Sequence, residues 1–299
     1  MLCSLPCLVG CGGSVAGPGG DGSGSMRATI DGQSWVADAN AVQVSADAKA
    51  PGVLGVIGTH TTSASDHLTV QLALGYLTGP KTYPLGVNAG TNAGGSATVL
   101  DQQGSGVGIW ATDLSGDRGS VTVTSMADGR FAGTFQFTAP PQLGSSVANT
   151  RTITNGSFDL PLPAAFQAPA ADDYGSSLTA TINGQPWNGA TVTGLGDTST
   201  GALSFGGTTT GYLLNFTTST PVQAGMTYDQ TAMQVIASNL GASGMNWGGG
   251  ANVVSVAVTS LTAKRIIGTF SGTLAGLPSS LPPLSITGGA FDVRIDPTP

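Results

Sequence analysis

The chain contains no glutamate, because all 16 of its acidic residues are aspartate. Charged residues make up only 8% of its 299 residues, against about a quarter in an ordinary globular protein. Glutamate is a good helix former, whereas aspartate, serine, threonine and glycine favour turns or strands, and glycine alone occurs 47 times. The composition therefore predicts an all-β protein.

Basic residues are also scarce. The nine lysines and arginines are scattered along the chain and leave a formal net charge of −7. Such a chain would repel a phosphate backbone, so we expect no nucleic-acid partner. The chain also has no run of 18 apolar residues, so we expect any association with a membrane to come from a lipid.

Cysteine is absent after residue 11, so the folded body has no disulfide and no thiolate ligand for a metal. Leu8-Val9-Gly10-Cys11 resembles the lipobox of bacterial lipoproteins, in which the cysteine carries diacylglycerol. No basic residue precedes Arg27, so we interpret residues 1–10 as the remainder of a signal peptide. We expect residues 11–25 to be a Gly/Ser-rich tether. The alternative is an ordinary terminus with incidental cysteines.

Three sequence blocks occur twice, in the same order. They are ATIDGQSW (28–35) and ATINGQPW (180–187); VTVTSM (121–126) with GTF (133–135), and VAVTSL (256–261) with GTF (268–270); and ITNGSFDL (153–160) and ITGGAFDV (286–293). The Asp-Gly and Asn-Gly pairs of the first block are typical of type I′ hairpins. The chain is therefore an internal duplication.

The repeats set the domain plan. We expect a first β domain at 26–162, a linker rich in Ala, Pro, Asp and Ser at 163–177, and a second β domain at 178–299. Short alternating runs between Gly- and Ser-rich turns predict an antiparallel β-sandwich, or a flattened barrel, in each copy. A short helix is a further expectation at 232–239.

The opening A-T-[IV]-[DN]-G-x-x-W, the central G-T-F and the closing I-T-x-G-x-F resemble an uncharacterised family of bacterial envelope lipoproteins. The resemblance covers both copies. It implies an exported β fold of unknown function, and it carries over no catalytic or binding residues.

The two histidines, His60 and His67, flank a predicted hairpin tip, with Asp66 beside the second. Imidazole and carboxylate groups suit zinc, so these three residues are a hypothetical metal site. The second copy has Thr and Gly in the comparable stretch. We therefore favour the alternative that they are polar residues at a loop edge, and we expect no metal site.

Four tryptophans form two approximately equivalent pairs, Trp35 with Trp187 and Trp110 with Trp247. Large rings that recur in both copies are typical of core anchors, and this is our interpretation. The alternative is that they are exposed platforms on which sugars stack.

No catalytic motif is recognisable. There is no G-x-S-x-G elbow and no calcium-binding loop, and a Ser-His-Asp triad would have to use His60 or His67. We therefore expect no catalytic site, no cofactor and a non-enzymatic protein. Its predicted function is that of a binding or adhesive module, lipid-anchored through Cys11 at the bacterial envelope, whose partner is an envelope protein or a glycan. The alternatives are a structural component of an envelope complex, or a hydrolase.

Overall fold

The computed structural model of the chain describes residues 24–46, 48–142, 148–170, 172–197, 199–241, 245–248 and 253–298. These residues form strands, turns and loops, and no α-helix occurs among them. The first domain consists of β1 (Ser25–Ile30), β2 (Gln33–Val36), β3 (Val42–Ala46), β4 (Leu54–Ser63), β5 (Asp66–Gly75), β6 (Lys81–Leu85), β7 (Gly94–Gln103), β8 (Gly106–Ala111), β9 (Gly119–Ser125), β10 (Arg130–Ala139) and β11 (Arg151–Pro161).

The second domain repeats this series and has two additional short strands. It consists of β12 (Ser177–Ile182), β13 (Gln185–Asn188), β14 (Thr191–Asp197), β15 (Leu203–Thr208), β16 (Tyr212–Thr217), β17 (Met226–Asp229), β18 (Gln234–Asn239), β19 (Asn246–Trp247), β20 (Val253–Leu261), β21 (Arg265–Leu274), β22 (Gly276–Leu277), β23 (Leu284–Arg294) and β24 (Asp296–Thr298).

Both domains have the same two layers. In the first domain, one layer has the order β2-β1-β11-β10-β9-β6 and the other contains β8, β7, β5, β4 and β3. Strands β6 and β7 join the layers through a parallel pair, Leu85 with Gly95, and Trp110 of β8 forms an isolated bridge with Pro141 after β10. In the second domain the layers are separate sheets, β13-β12-β23-β21-β20-β17 and β22-β19-β18-β16-β15-β14-β24. The prediction of an all-β fold built from two tandem, duplicated sandwich domains is confirmed.

The expected helix at 232–239 is wrong. Residues Gln234–Asn239 form β18, and every one of them pairs with a residue of β16. The helical signal reduces to one turn before this strand, in which the amide of Met233 donates to the carbonyl of Asp229. Pairing with β16 then satisfies the backbone groups that a helix would have satisfied internally.

The repeated blocks have a physical explanation. Asp31 and Gly32 have φ angles of 50° and 82°, and Asn183 and Gly184 have φ angles of 48° and 78°. Two successive positive φ angles define the type I′ turn, which only glycine, asparagine and aspartate adopt easily. Each pair therefore forms the hairpin that opens its domain.

The G-T-F and G-x-F blocks pair with each other. In the first domain Gly133 of β10 lies opposite Phe158 of β11, and Phe135 lies opposite Gly156. In the second domain Gly268 pairs with Phe291 and Phe270 with Gly289. All four phenylalanines are buried. Each ring thus covers the glycine across from it, and two bulky side chains fit side by side under one sheet.

The two domains contact each other through polar groups. Asn92, in the β6–β7 loop, is only 3% exposed. Its amide nitrogen donates to the carbonyl of Gly189 at 2.9 Å, and its Oδ1 accepts from the amide of Val192 at 3.2 Å. A loop of the first domain is therefore held against the start of β14.

The end of the linker belongs structurally to the second domain. Arg265 at the start of β21 is 1% exposed and forms an ion pair with Asp292 of β23. Its two terminal nitrogens donate to the carbonyls of Tyr174 and Gly175, each at 2.7 Å. The equivalent pair in the first domain, Arg130 with Asp159, lies at the surface. A buried charge is tolerated when it is paired and hydrogen-bonded. Here all three guanidinium nitrogens donate, and the linker supplies two of the acceptors.

We predict that Gly133→Ala destabilises the first domain by about 1–3 kcal/mol, as overpacked cores usually do. A Cβ at this position would lie 2.7 Å from Phe158 Cζ and 2.5 Å from the carbonyl oxygen of Thr122. The measurement is urea unfolding. The matched control is Gly106→Ala, where the nearest atom is 3.4 Å away and we expect a change within about 0.5 kcal/mol. Equal effects of the two substitutions would contradict the proposed packing.

We predict that Asn92→Ala lowers thermal stability by about 1–3 kcal/mol, because it leaves the carbonyl of Gly189 and the amide of Val192 without their buried partner. Calorimetry measures the effect. Asn40→Ala, at an exposed position, is the control and should leave the thermogram unchanged. An unchanged thermogram for Asn92→Ala would mean that the hydrogen bonds of this side chain do not stabilise the protein.

Candidate functional site

Four side chains from four different strands or turns meet at one end of the first domain. Asp31 lies in the turn between β1 and β2, Asp101 near the end of β7, Trp110 in β8, and Arg151 at the start of β11. We call these four residues the Arg151 cluster. They join the two layers of the sandwich, because β1 and β11 belong to one layer and β7 and β8 to the other.

Arg151 is the centre of the cluster. One terminal nitrogen donates to Asp31 Oδ2 at 2.7 Å, and the other donates to Asp101 Oδ2 at 2.6 Å. The guanidinium carbon lies 4.3 Å from the centre of the Trp110 ring, a favourable cation–π distance. The buried Nε has no hydrogen-bond partner in the described structure. The side chains of Arg151 and Asp101 are 24% and 18% exposed, so the charges are shielded but still reachable from solvent.

The cluster lines an open cleft of about 520 Å³, which we call the Arg151 cleft. Apart from the four cluster residues, its walls come from the β7–β8 hairpin and the segment before β11: Gln103, Gly106, Val107, Gly108, Ala148, Asn149 and Thr150. Val107 and Ile109 of β8 are exposed apolar residues. The cleft therefore has charged residues at its centre, glycines in its walls that carry no side chain, and apolar residues nearby.

The second domain has the same framework without the charges. Leu284 opens β23 as Arg151 opens β11, and it is fully buried. Asn183 replaces Asp31 in the equivalent turn. Asn239 replaces Asp101. Asp101 lies two residues after Val99, which pairs with Trp110. In the same way, Asn239 lies two residues after Ala237, which pairs with Trp247.

The framework contacts themselves are retained. Asp31 Oδ1 accepts from the amide of Thr152 at 2.8 Å, and Asn183 Oδ1 accepts from the amide of Ser285 at 2.9 Å. The Nε1 groups of Trp110 and Trp247 each donate to a carbonyl two residues before the closing strand, at 2.6 and 2.9 Å. The fold thus forms with Asn, Asn and Leu at these positions. The ionic cluster is an addition that the fold does not need.

The cluster offers both hydrogen-bond donors and hydrogen-bond acceptors. The guanidinium group has five donor hydrogens, and its ion pairs use only two of them. Each carboxylate keeps free lone pairs, since an ionised carboxylate accepts about four hydrogen bonds. A bound molecule would meet donors and acceptors within one small area.

The cleft lies at the far end of β1 from the start of the domain. Ser25 pairs with Asp159 at one end of the β1–β11 ladder, and Ile30 pairs with Ile153 at the other, next to the cluster. The chain leaves β11 toward the linker from the same end as Ser25. The N-terminal segment and the second domain are therefore both attached at the end opposite the cleft.

The hypothetical zinc site at His60, His67 and Asp66 is not formed. His60 pairs with Leu68 and His67 with Thr61 across the β4–β5 hairpin, so the two imidazoles project from opposite faces of the sheet. His60 Nδ1 contacts Asp38 at 3.2 Å, and His67 Nδ1 contacts the Thr61 hydroxyl at 3.3 Å. Within the described residues no group of three His, Cys, Asp or Glu side chains is placed to hold a metal.

Asp66 has a structural role. Its carboxylate accepts from the hydroxyl of Ser63 at 2.7 Å and from the amide of Gly104 at 2.9 Å, which joins the β4–β5 hairpin to the β7–β8 hairpin. These hydrogen bonds, the one from Ser63 above all, lower the pKa of Asp66. Asp66 therefore stays ionised while it supports one wall of the cleft.

The tryptophans are core residues. All four are buried, so the interpretation as core anchors is confirmed and the idea of exposed sugar platforms is wrong. Trp35 donates from Nε1 to the carbonyl of Leu68 at 3.2 Å, whereas the Nε1 of Trp187 has no partner in the described structure.

Sequence reasoning missed the Arg151 cluster. One signal was present: two residues before the repeated I-T block, the first copy has arginine where the second has leucine. The predicted lipid attachment at Cys11, the signal remnant 1–10 and most of the tether 11–25 lie outside the described residues. Among the described residues, no helix has the length and apolar character needed to cross a membrane.

Residues 22–160 match the family described as a domain of unknown function (DUF6252), a match that spans the first domain and less than half of the chain. No curated protein and no solved structure matches the chain. The first copy is therefore similar to a domain whose function is not defined.

Proposed function

We propose that the protein is a binding module of the bacterial envelope, anchored by a lipid on Cys11, that takes a polar ligand in the Arg151 cleft. One observation carries the proposal: the first copy has an ion-paired arginine and two carboxylates where the second copy forms the same framework with leucine and two asparagines. Partly buried ion pairs are weak sources of stability compared with apolar packing. Their presence in one copy favours recognition as their role.

The position of the cleft supports the same proposal. The segment that would carry the lipid precedes Ser25, at the opposite end of β1 from Arg151. A domain held through that segment presents the cleft away from its point of attachment. The second domain also joins at the attached end, so it leaves the cleft open.

The ligand chemistry follows from the lining. The guanidinium group and the two carboxylates suit a molecule that both donates and accepts hydrogen bonds, such as a glycan or an extended peptide of the envelope. Val107, an exposed apolar residue that lines the cleft, would contact the apolar parts of such a ligand. We propose binding without a chemical step, because Arg151 forms ion pairs with both carboxylates of the cluster, which would otherwise be the groups to act as nucleophile or general base.

We predict that the triple variant D31N/D101N/R151L, which gives the first domain the residues of the second, folds normally but loses ligand. The full chain and the variant are immobilised and exposed separately to the protein and polysaccharide fractions of bacterial envelopes. We expect a component that the native chain retains and the variant does not. Circular dichroism and urea unfolding establish that the variant is folded.

Equal retention by both chains would contradict the cleft as the binding site. A third chain carries the matched substitutions N183D/N239D/L284R in the second domain. If the native chain and both variants all retain the same component, that component binds to a surface outside the cleft. The alternative is that the protein is a structural component of the envelope that packs through its sheets. This alternative predicts that the native chain and the D31N/D101N/R151L variant retain the same components equally.

We predict that Cys11→Ser moves the expressed protein from the detergent-rich phase to the aqueous phase in a detergent partition experiment. The thiolate of Cys11 is the group that would carry diacylglycerol, and no other membrane attachment is proposed. Cys7→Ser is the matched control and should leave the protein in the detergent phase. Partition of Cys11→Ser with the detergent would contradict the anchor.

A further inference from the structure

The outer face of the first domain carries an ordered row of hydroxyl groups. Thr82 of β6 pairs with Thr122 of β9, and Thr122 pairs in turn with Thr134 of β10. Thr134 pairs with Ser157 of β11, and Ser157 with Arg27 of β1. Because paired residues project from the same face, the five side chains form one line across five strands, spaced about 4.8 Å apart.

These side chains face solvent rather than the core. The buried residues of β1, β9 and β10 alternate with them, so none of the five is buried. Thr82 and Thr122 share a hydrogen bond of 2.9 Å between their hydroxyls, and Arg27 Nε donates to the Ser157 hydroxyl at 3.0 Å. The row is thus held in a defined geometry before any ligand arrives.

Four residues of the row, Arg27, Thr122, Thr134 and Ser157, line a groove of about 610 Å³, and Thr82 is not among its lining residues. The ladder shifts register on both sides of β11, between Arg27 and Thr29 of β1 and between Phe135 and Phe137 of β10. Asn155 sits at the irregularity with a φ of 51°. Such bulges bend a strand and increase its twist, which makes the outer face concave at this point.

Arg27 stands apart from the other arginines. Arg118, Arg130, Arg151, Arg265 and Arg294 each form an ion pair with an aspartate. Among the described residues the guanidinium group of Arg27 forms one hydrogen bond, from Nε to the Ser157 hydroxyl, and its two terminal nitrogens form none with them. The residues that line the groove include Arg27 and no carboxylate, so the groove carries a local positive charge although the chain as a whole is acidic, and this local charge suits an anionic group.

The second domain lacks this combination. At the positions of Arg27, Thr122 and Ser157 it has Thr179, Ala257 and Ala290, which pair in the same order. Its face forms the same strands, so the fold does not require the cation of Arg27 or the hydroxyls of Thr122 and Ser157. Thr134 has a threonine counterpart, Thr269.

We infer that this groove binds an acidic oligosaccharide, with the sugar hydroxyls hydrogen-bonded along the row and a sugar carboxylate bound by Arg27. Charge complementarity selects the anionic group, and the line of hydroxyls across successive strands suits a chain of hydroxylated rings rather than a compact ion. The inference is independent of the Arg151 cleft, which contains none of these residues.

The test is isothermal titration of the full chain with tetragalacturonate, and with cellotetraose as a neutral chain of the same number of rings. We expect tetragalacturonate to bind at least tenfold more tightly than cellotetraose. We expect R27T to weaken tetragalacturonate binding at least tenfold, and R27T/T122A/S157A to abolish it. Lys264→Thr, which removes one positive charge from the second domain, should leave the affinity unchanged.

Three results would overturn the inference: no binding of tetragalacturonate by the native chain, equal binding of cellotetraose, or an equal loss with Lys264→Thr. Urea unfolding verifies that each variant is folded. The cleft variant D31N/D101N/R151L should bind tetragalacturonate as the native chain does. If only the cleft variant loses tetragalacturonate binding, the saccharide binds in the Arg151 cleft, and the inference about the groove is wrong.

Discussion

The reciprocal pairing of glycine and phenylalanine between β10 and β11, and between β21 and β23, is the constraint on which both domains depend. Each ring occupies the space that its partner glycine leaves, so the two long central strands of each domain can approach with two such aromatic side chains buried beneath them. A slip of one residue would turn the rings to solvent. The pairing therefore fixes the register of the layer, and through it the positions of every side chain on the outer face.

Because the chain is duplicated, each position in the first domain can be compared with its counterpart in the second. Positions that are the same in both copies, such as the type I′ turns, the buried tryptophans and the glycine–phenylalanine pairs, belong to the scaffold. Positions that differ between the copies while the backbone stays the same are not needed to form the scaffold. Arg151 against Leu284 and Arg27 against Thr179 are of this second kind, and both place charge in the first copy alone.

Much of the scaffold could be predicted from the sequence, because hairpin turns and alternating strands are local patterns. The Asp-Gly and Asn-Gly turns needed only two adjacent residues. The Arg151 cluster could not be predicted in this way, since its ion pairs join residues 120 and 50 positions apart. The hydroxyl row likewise depends on the register of five strands. The helix at 232–239 was wrong because pairing with β16 outweighs a weak local preference.

The antiparallel ladder between β1 and β11 has a mechanical consequence. Its hydrogen bonds run across the strands, while the cleft and the start of the domain lie at its two opposite ends. A load applied between those ends acts along the strands and is shared by the ladder bonds together, rather than opening them one after another. With the proposed anchor at one end and the proposed ligand at the other, a pulling force would act on the ladder in its strongest direction.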